Sequence, residues 1–252
     1  MDKIIKTEII EKYRNAATRL ILLDYDGTLV DYNRNPKDAK PSENLSAILK
    51  KLLEKPKTKV IVISGRGHYD LDRFLGHMPI SFIAEHGAMI RENGVWEEKI
   101  IDNLIWKKTA LPLFHRISSA CPESFVEEKP FSIAWHYRNA ESRTGYDHSR
   151  ELIRILGSFI NSFKLRILDG NKAVELMPDK VGKGIAAKNL LNHSNYDFLL
   201  SIGDDVTDEE IFELFKNNAN AVTIKVGNGR TLAKYKAEDV GEVVELLKDL
   251  SQ

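Results

Sequence analysis

Two aspartates one residue apart, Asp24 and Asp26 in DYDGT, and a second acidic group, Asp204, Asp205 and Asp208 in GDDVTDEE, are the residues of this chain best suited to chemistry. Each group follows a short apolar run, so a sheet that brings the two runs together also brings the carboxylates together. Like charges about 4 Å apart cost several kcal/mol outside bulk water, and such a cluster therefore needs a cation. All the candidate ligands are oxygens, with no nearby Cys or His pair, and hard ligands of this kind select Mg²⁺, which binds through one or two carboxylates plus a phosphate. The five aspartates are the expected metal ligands, Asp205 and Asp208 acting through water. Asp24, held ionised beside the cation, is placed for in-line attack on phosphorus to give an aspartyl-phosphate. Asp26 is the expected general acid for the leaving oxygen, and later the base for the hydrolytic water. Ser64, in SGR, follows another apolar run and is expected to hydrogen-bond phosphoryl oxygens, with Thr28 and Gly65 as further phosphate-binding positions. Lys183, between two glycines in VGKGIAAKNLL, starts a helix and adds a cation to a pole already favourable for anions.

The elements that must position these residues are strands joined by helices. Short apolar runs alternate with segments of helical period, which reads as an α/β chain with a parallel sheet. Residues 19–23 (RLILL), 59–63 (KVIVI), 196–202 (YDFLLSI) and 221–226 are the strand candidates, and the first three end at Asp24, Ser64 and the Asp204 group. Ser42 opens a helix with Leu45, Ile48, Leu49, Leu52 and Leu53 on one face. Ligands gather beyond the carboxyl ends of parallel strands, so the three strand tips should line one crevice. Any one motif alone fits a solvated strand-to-helix turn, in which Asp, Gly, Ser and Thr are common; it is the four in this order that point to a site. Residues 103–171 read differently: 131–137 and 165–168 are strand-like and 149–163 is helical in period. This stretch is expected to form an inserted, smaller α/β domain, leaving residues 1–102 and 172–252 as the core.

The 252 residues carry 37 basic and 37 acidic side chains with no long run of one sign, which disfavours nucleic acid or an anionic membrane surface as partner and favours a small charged ligand. No apolar run approaches the roughly 20 residues of a membrane span. The first nineteen residues mix charges into their apolar pattern, with no signal-peptide core, and read as a helix of a cytoplasmic protein. Cys121 is the single cysteine, which agrees with a reducing compartment, and no accompanying His or Asn pattern makes it a nucleophile.

DYDGT, SGR, Lys183 and GDDVTDEE, in that order, resemble the four motifs of the haloacid dehalogenase superfamily of aspartate-dependent phosphatases. Within it the chain resembles the trehalose-6-phosphate phosphatases over nearly its whole length. LLDYDGTLV with Pro36, AEHGAMIRENG, VEEKPFSIAWHYRNA and VELMPDKVGKG carry that resemblance. It implies a Rossmann-like core, a cap domain formed by the insert, and Mg²⁺-dependent hydrolysis of trehalose 6-phosphate in trehalose biosynthesis. It also implies functional coupling to a trehalose-6-phosphate synthase. Glu127, Lys129, Arg138 and Glu175 match positions that hold the sugar hydroxyls and phosphate, with His136 beside them and Arg66 and His86 as core-side substrate contacts. Carboxylates suit sugar hydroxyls, and Lys or Arg suits a phosphate dianion. The same cap residues also fit a polar sheet face with cross-strand charge pairs, and a lone His such as His86 is more often structural. Trp96, Trp106 and Trp135 read as core rather than as sugar platforms. The tail Glu209-Glu210 departs from the family's frequent Glu-Asp, beyond the expected ligands. A phosphatase for another sugar phosphate, such as a mannosyl or glucosyl phosphoglycerate or sucrose phosphate, would share the core motifs. A non-catalytic phosphate-sensing module would lack Asp24 or Asp26, and both are present.

Overall fold

A computed structural model of the chain describes residues 1–100, 104–192 and 195–252. In chain order the elements are α1 (Lys3–Asn15), β1 (Arg19–Leu23), α2 (Glu43–Glu54), β2 (Thr58–Ile63), α3 (His68–Leu75), β3 (Ser81–Ala84), β4 (Met89–Glu92) and β5 (Val95–Glu98). Next come α4 (Ile105–Ala120), β6 (Phe125–Glu128), β7 (Ile133–His136), α5 (Ser142–Phe163), β8 (Leu165–Gly170) and β9 (Ala173–Pro178). The chain closes with α6 (Lys183–Leu191), β10 (Phe198–Gly203), α7 (Val206–Phe215), β11 (Ala221–Val226), β12 (Tyr235–Ala237) and α8 (Val240–Leu250).

Two compact units result, one of Met1–Glu97 with Gly182–Gln252 and one of Glu98–Val181. The first is built on a sheet of order β12-β11-β10-β1-β2-β3-β4-β5. Its strands from β12 to β3 pair in parallel and β4 turns back antiparallel on β3. The inner strands are apolar on both faces, as helices on either side of a parallel sheet demand: Leu20 to Leu23, Val60 to Ile63 and Phe198 to Gly203 are all buried. The chain runs outward from β1 in one direction through β2 and β3 and in the other through β10 and β11. β1 is therefore the switch point at which a crevice opens beyond the strand ends. The register levels the tips there, since Leu23 lies opposite both Val62 and Ile202. The Asp24 amide donates to the Ile202 carbonyl at 3.0 Å and the Ser64 amide to the Ile83 carbonyl at 2.9 Å. α2 starts where Ser42 accepts from the Leu45 amide, and it buries Leu45, Ile48, Leu49 and Leu52.

The second unit has a four-stranded antiparallel sheet, β6-β7-β9-β8. One face carries Ile133, Trp135, Val174 and Leu176 against Trp106, Ala110, Phe114 and Ile117 of α4 and Leu152 and Leu156 of α5. Trp106 and Trp135 are core here, as expected. The expected return to the core at residue 172 differs from these strands. Residues 173–178 pair with β7 and β8, and the compact unit runs on to Val181. Nothing in AVELMP says which sheet it joins; the pairing of Glu175 with Ala134 and Leu168 decides that. At the other end, Glu98 already belongs to the second unit, and the expected boundary at residues 102 and 103 lies outside the described residues. Among the described residues no helix is long and apolar enough to cross a membrane.

Candidate active site

At the carboxyl ends of β1 and β10, ligand oxygens of Asp24, Asp204 and Asp208 lie within 4.8 Å of one another. The Lys183 ammonium, at the first position of α6, donates to Asp24 Oδ1 at 2.7 Å and to Asp208 Oδ1 at 2.9 Å. Asp24, Lys183 and Asp208 are all buried, Lys183 at 2% exposure. Burial depresses the Lys183 pKa, but Asp208 and Asp24 outweigh it and hold the ammonium above the ordinary lysine range. Burial, with Asp208 and Asp204 close by, drives Asp24 well above the usual carboxylate range in spite of Lys183. Asp204 is pushed up to about 6, chiefly by burial and Asp208. Three carboxylates against one ammonium leave two negative charges uncompensated, which is what a divalent cation would balance. The donor set fits such an ion: every ligand is an oxygen, and Asp204 Oδ1 is buried with no hydrogen-bond partner among the described residues.

Glycine makes this crowding possible at two places. Gly27 has φ +77°, and a Cβ there would collide with the Asp204 carboxylate and the Tyr32 ring. A Cβ on Gly203 would collide with Asp208. Asp208 itself is fixed by three donors, since its Oδ2 accepts from the amides of Asp204 and Asp205 at 3.1 Å each. Asp205 caps α7, accepting from the Val206 amide at 2.8 Å, and forms a capping box with Asp208. Neither Asp26 nor Asp205 is part of the three-carboxylate group.

Asp26 is instead gripped by Arg66, whose Nε and Nη2 donate to its two carboxylate oxygens at 2.6 and 2.7 Å. Arg66 also lies over the rings of Tyr25 and Phe74 and reaches Asp70 at 3.5 Å. Thr28 is fully buried and its hydroxyl has no partner among the described residues, whereas Ser64 Oγ accepts from the Arg66 amide at 3.2 Å. Gly65 approaches His86 so closely that a Cβ would stand 2.5 Å from the imidazole. His86 belongs to a turn in which Glu85, His86 and Gly87 all have positive φ, at 46°, 56° and 117°. Two hydrogen bonds tie that turn to SGR, from the Glu85 amide to the Arg66 carbonyl at 2.9 Å and from the His86 amide to the Ser64 carbonyl at 3.0 Å. Backbone held this far from ordinary geometry is over-determined by its surroundings. His86 thus packs behind Ser64 and Gly65.

Three contacts were not legible as function in the sequence. Tyr32 donates its hydroxyl to Asp204 Oδ2 at 3.0 Å from a loop with no local signal, and the Lys225 ammonium donates to the Asp204 carbonyl. Glu210, in the departing motif tail, accepts from the Gly184 amide at 3.0 Å and so steadies the start of α6 next to Lys183.

In the second unit the expected sugar-contacting residues share a sheet. Glu127 lies opposite Ala134, which lies opposite Glu175, putting both carboxylates in one row on the face away from the hydrophobic core. His136 Nε2 and Glu127 Oε2 are 2.8 Å apart. Burial raises the Glu127 pKa, but Lys129 and His136 prevail and hold the carboxyl below its ordinary value. Lys129 donates to Glu175 Oε1 at 2.9 Å; both are buried, and the Ser132 hydroxyl donates to the same oxygen. Arg138 sits beyond β7, its guanidinium donating to the Asn171 carbonyl at 2.8 Å.

Known proteins resemble this arrangement along most of the chain. Residues 22–240 match the trehalose-phosphatase family. A bifunctional trehalose-6-phosphate synthase/phosphatase of Thermoproteus tenax is 39% identical over 99% of this chain and 34% of its own length. The structure of the Candida albicans trehalose-6-phosphate phosphatase C-terminal domain superposes with TM-score 0.91 at 26% identity, covering 98% of this chain and 96% of that one. A haloacid dehalogenase-like hydrolase from B. subtilis shares the fold at TM-score 0.63 and 17% identity, over 91% of this chain and 98% of its own. The chain spans about a third of the length of the curated relatives it matches. With its strand-tip carboxylates and Lys183 gathered at one sheet edge and the family match running across both units, the chain belongs to the trehalose-phosphatase family.

Proposed function

We propose that this protein is an Mg²⁺-dependent phosphatase that hydrolyses trehalose 6-phosphate to trehalose and phosphate. The observation that carries the reading is the buried group of Asp24, Asp204 and Asp208 bridged by Lys183 at the tips of β1 and β10. Asp24 and Asp204 would hold the cation with Asp208 beside them; when bound it neutralises the carboxylates and polarises the phosphoryl oxygens. An Asp24 carboxylate oxygen attacks phosphorus in line, the bond from phosphorus to the sugar oxygen breaks, and Asp26 gives that oxygen its proton. Asp26 then removes a proton from water, which attacks the aspartyl-phosphate and frees phosphate and Asp24. Arg66 occupies both carboxylate oxygens of Asp26, so Asp26 reaches the leaving oxygen only once that pair has opened. The Thr28 and Ser64 hydroxyls and the Gly65 amide are the donors we assign to the phosphoryl oxygens, with Lys183 as the fixed positive charge.

We assign recognition of the disaccharide to Glu127, Lys129, His136, Arg138 and Glu175 of the second unit, as the cap, with His86 and Arg66 on the core side. The reading extends to coupling with a trehalose-6-phosphate synthase, supported by the bifunctional name of the Thermoproteus tenax relative. Cys121, buried and free, supports work in a reducing cytoplasm.

Phosphate release across trehalose 6-phosphate, sucrose 6-phosphate, glucosyl 3-phosphoglycerate and an aryl phosphate, with Mg²⁺ and with chelator, tests the reading. The expected result is at least about a tenfold preference in kcat/KM for trehalose 6-phosphate, worth about 1.4 kcal/mol of differential binding, and loss of turnover on chelation. A stronger preference for another sugar phosphate, or turnover indifferent to chelation, would overturn it.

A further inference from the structure

Lys107 is a buried lysine that the chemistry above does not use. It stands in the first turn of α4, and its ammonium reaches three oxygens of one short segment: the carbonyls of Lys129 and Pro130, the latter at 3.3 Å, and the Glu128 carboxylate at 3.0 Å. That segment is the turn between β6 and β7. It is closed by the Lys129 amide donating to the Ser132 carbonyl at 3.0 Å. The two residues that close it, Lys129 and Ser132, are the ones whose side chains converge on Glu175 Oε1. Lys107 is 8% exposed, and an ammonium buried so far must keep its acceptors or bear the cost of desolvation. Its partners are mainly backbone carbonyls, so it fixes the path of the turn rather than merely balancing a charge.

We propose that Lys107 is a positioning residue for sugar recognition: by holding the carbonyls of residues 129 and 130 it sets where Lys129 meets Glu175. The inference rests on the substrate reading given above. It explains why a buried position of α4 carries a lysine beside Trp106, Ala110 and Phe114. A methionine there would keep most of the volume and would release the turn.

Two measurements test it together. In Lys107→Met, hydrogen exchange should quicken about tenfold at residues 129–132 while α5 and β8 keep their wild-type protection. In the same variant KM for trehalose 6-phosphate should rise about tenfold with kcat within about twofold. Lys107→Arg, which can still donate to the carbonyls, should recover most of the loss, and Lys107→Met should add less than about twofold when Lys129 is already Ala. Unchanged exchange at 129–132, equal loosening throughout the second unit, or a full additive loss in the Lys129→Ala background would each overturn the proposal. If exchange quickens locally but the wild-type protein does not prefer trehalose 6-phosphate, the control of the turn stands and the substrate reading falls.

Discussion

Replacing Lys183 by Met tests the energetics of the buried charge group most directly. The ammonium makes two short ion pairs, 2.7 and 2.9 Å, to Asp24 and Asp208, and all three side chains are buried. Breaking a buried ion pair by removing one partner costs about 3–5 kcal/mol, because the other charge is left without compensation. The loss is a large part of the 5–15 kcal/mol that an ordinary domain has in hand. Its pH dependence follows from the sign of the shifts. Asp24 already titrates well above the usual range although Lys183 opposes that shift, and without the lysine it must rise further. The folded variant then binds more protons than the unfolded chain, whose aspartates titrate at about 4, and so its stability falls as pH rises. Relative to wild type, the deficit should be greatest near pH 8 and should shrink steadily toward pH 5. The assay is the urea dependence of hydrogen exchange in β1 and β10, run in chelator so that bound metal does not mask the difference. A deficit under 1 kcal/mol at pH 8, or one that grows on acidification, would refute the reasoning.

Asp24→Asn should abolish turnover without loss of fold, while Asp26→Asn should still release an activated aryl leaving group yet fail on trehalose 6-phosphate; phosphate-release kinetics on both substrates distinguish the roles. Gly27→Ala should weaken Mg²⁺ binding at least about tenfold by calorimetry, since the new Cβ displaces Asp204, and should cost about 1–2 kcal/mol of stability from the positive φ alone. Glu127→Ala should lower kcat/KM for trehalose 6-phosphate about ten- to a hundredfold, the worth of one lost hydrogen-bonding partner, with little change for an aryl phosphate. Equal loss on both substrates would assign Glu127 to the fold.

What the sequence made legible was periodicity and local chemistry. Apolar runs such as KVIVI and YDFLLSI are strands wherever they pair, and a polar side chain at or just past the end of such a run stands at a strand tip, so Asp24, Ser64 and Asp204 could be placed on one edge. Long-range partners could not be read. The sequence does not single out AVELMP as a strand, and only its pairing with β7 and β8 assigns it to the second unit. Arg66 beside a phosphate motif suggests a substrate contact, yet a guanidinium takes whichever carboxylate the fold brings near, and here that is Asp26. Tyr32 lies in a loop without periodicity, and its hydrogen bond to Asp204 is made where a Cβ on Gly27 would collide with both partners, a proximity that no local pattern announces. Lys107 lies in no motif, and its role shows only in its three oxygen partners.

The second unit's hydrophobic core, from Trp106 and Phe114 through Trp135 to Leu176, is drawn wholly from residues of that unit. Substitutions that share no partners add nearly independently. Evolution, or a designed library, can therefore vary Glu127 and His136 on the polar face of that sheet without touching the hydrophobic core on the opposite face, whereas Lys129 and Glu175, a buried ion pair, would have to change together. Under the proposed function, a lineage could drift from one sugar phosphate to another through such changes, with the strand-tip carboxylates inherited intact.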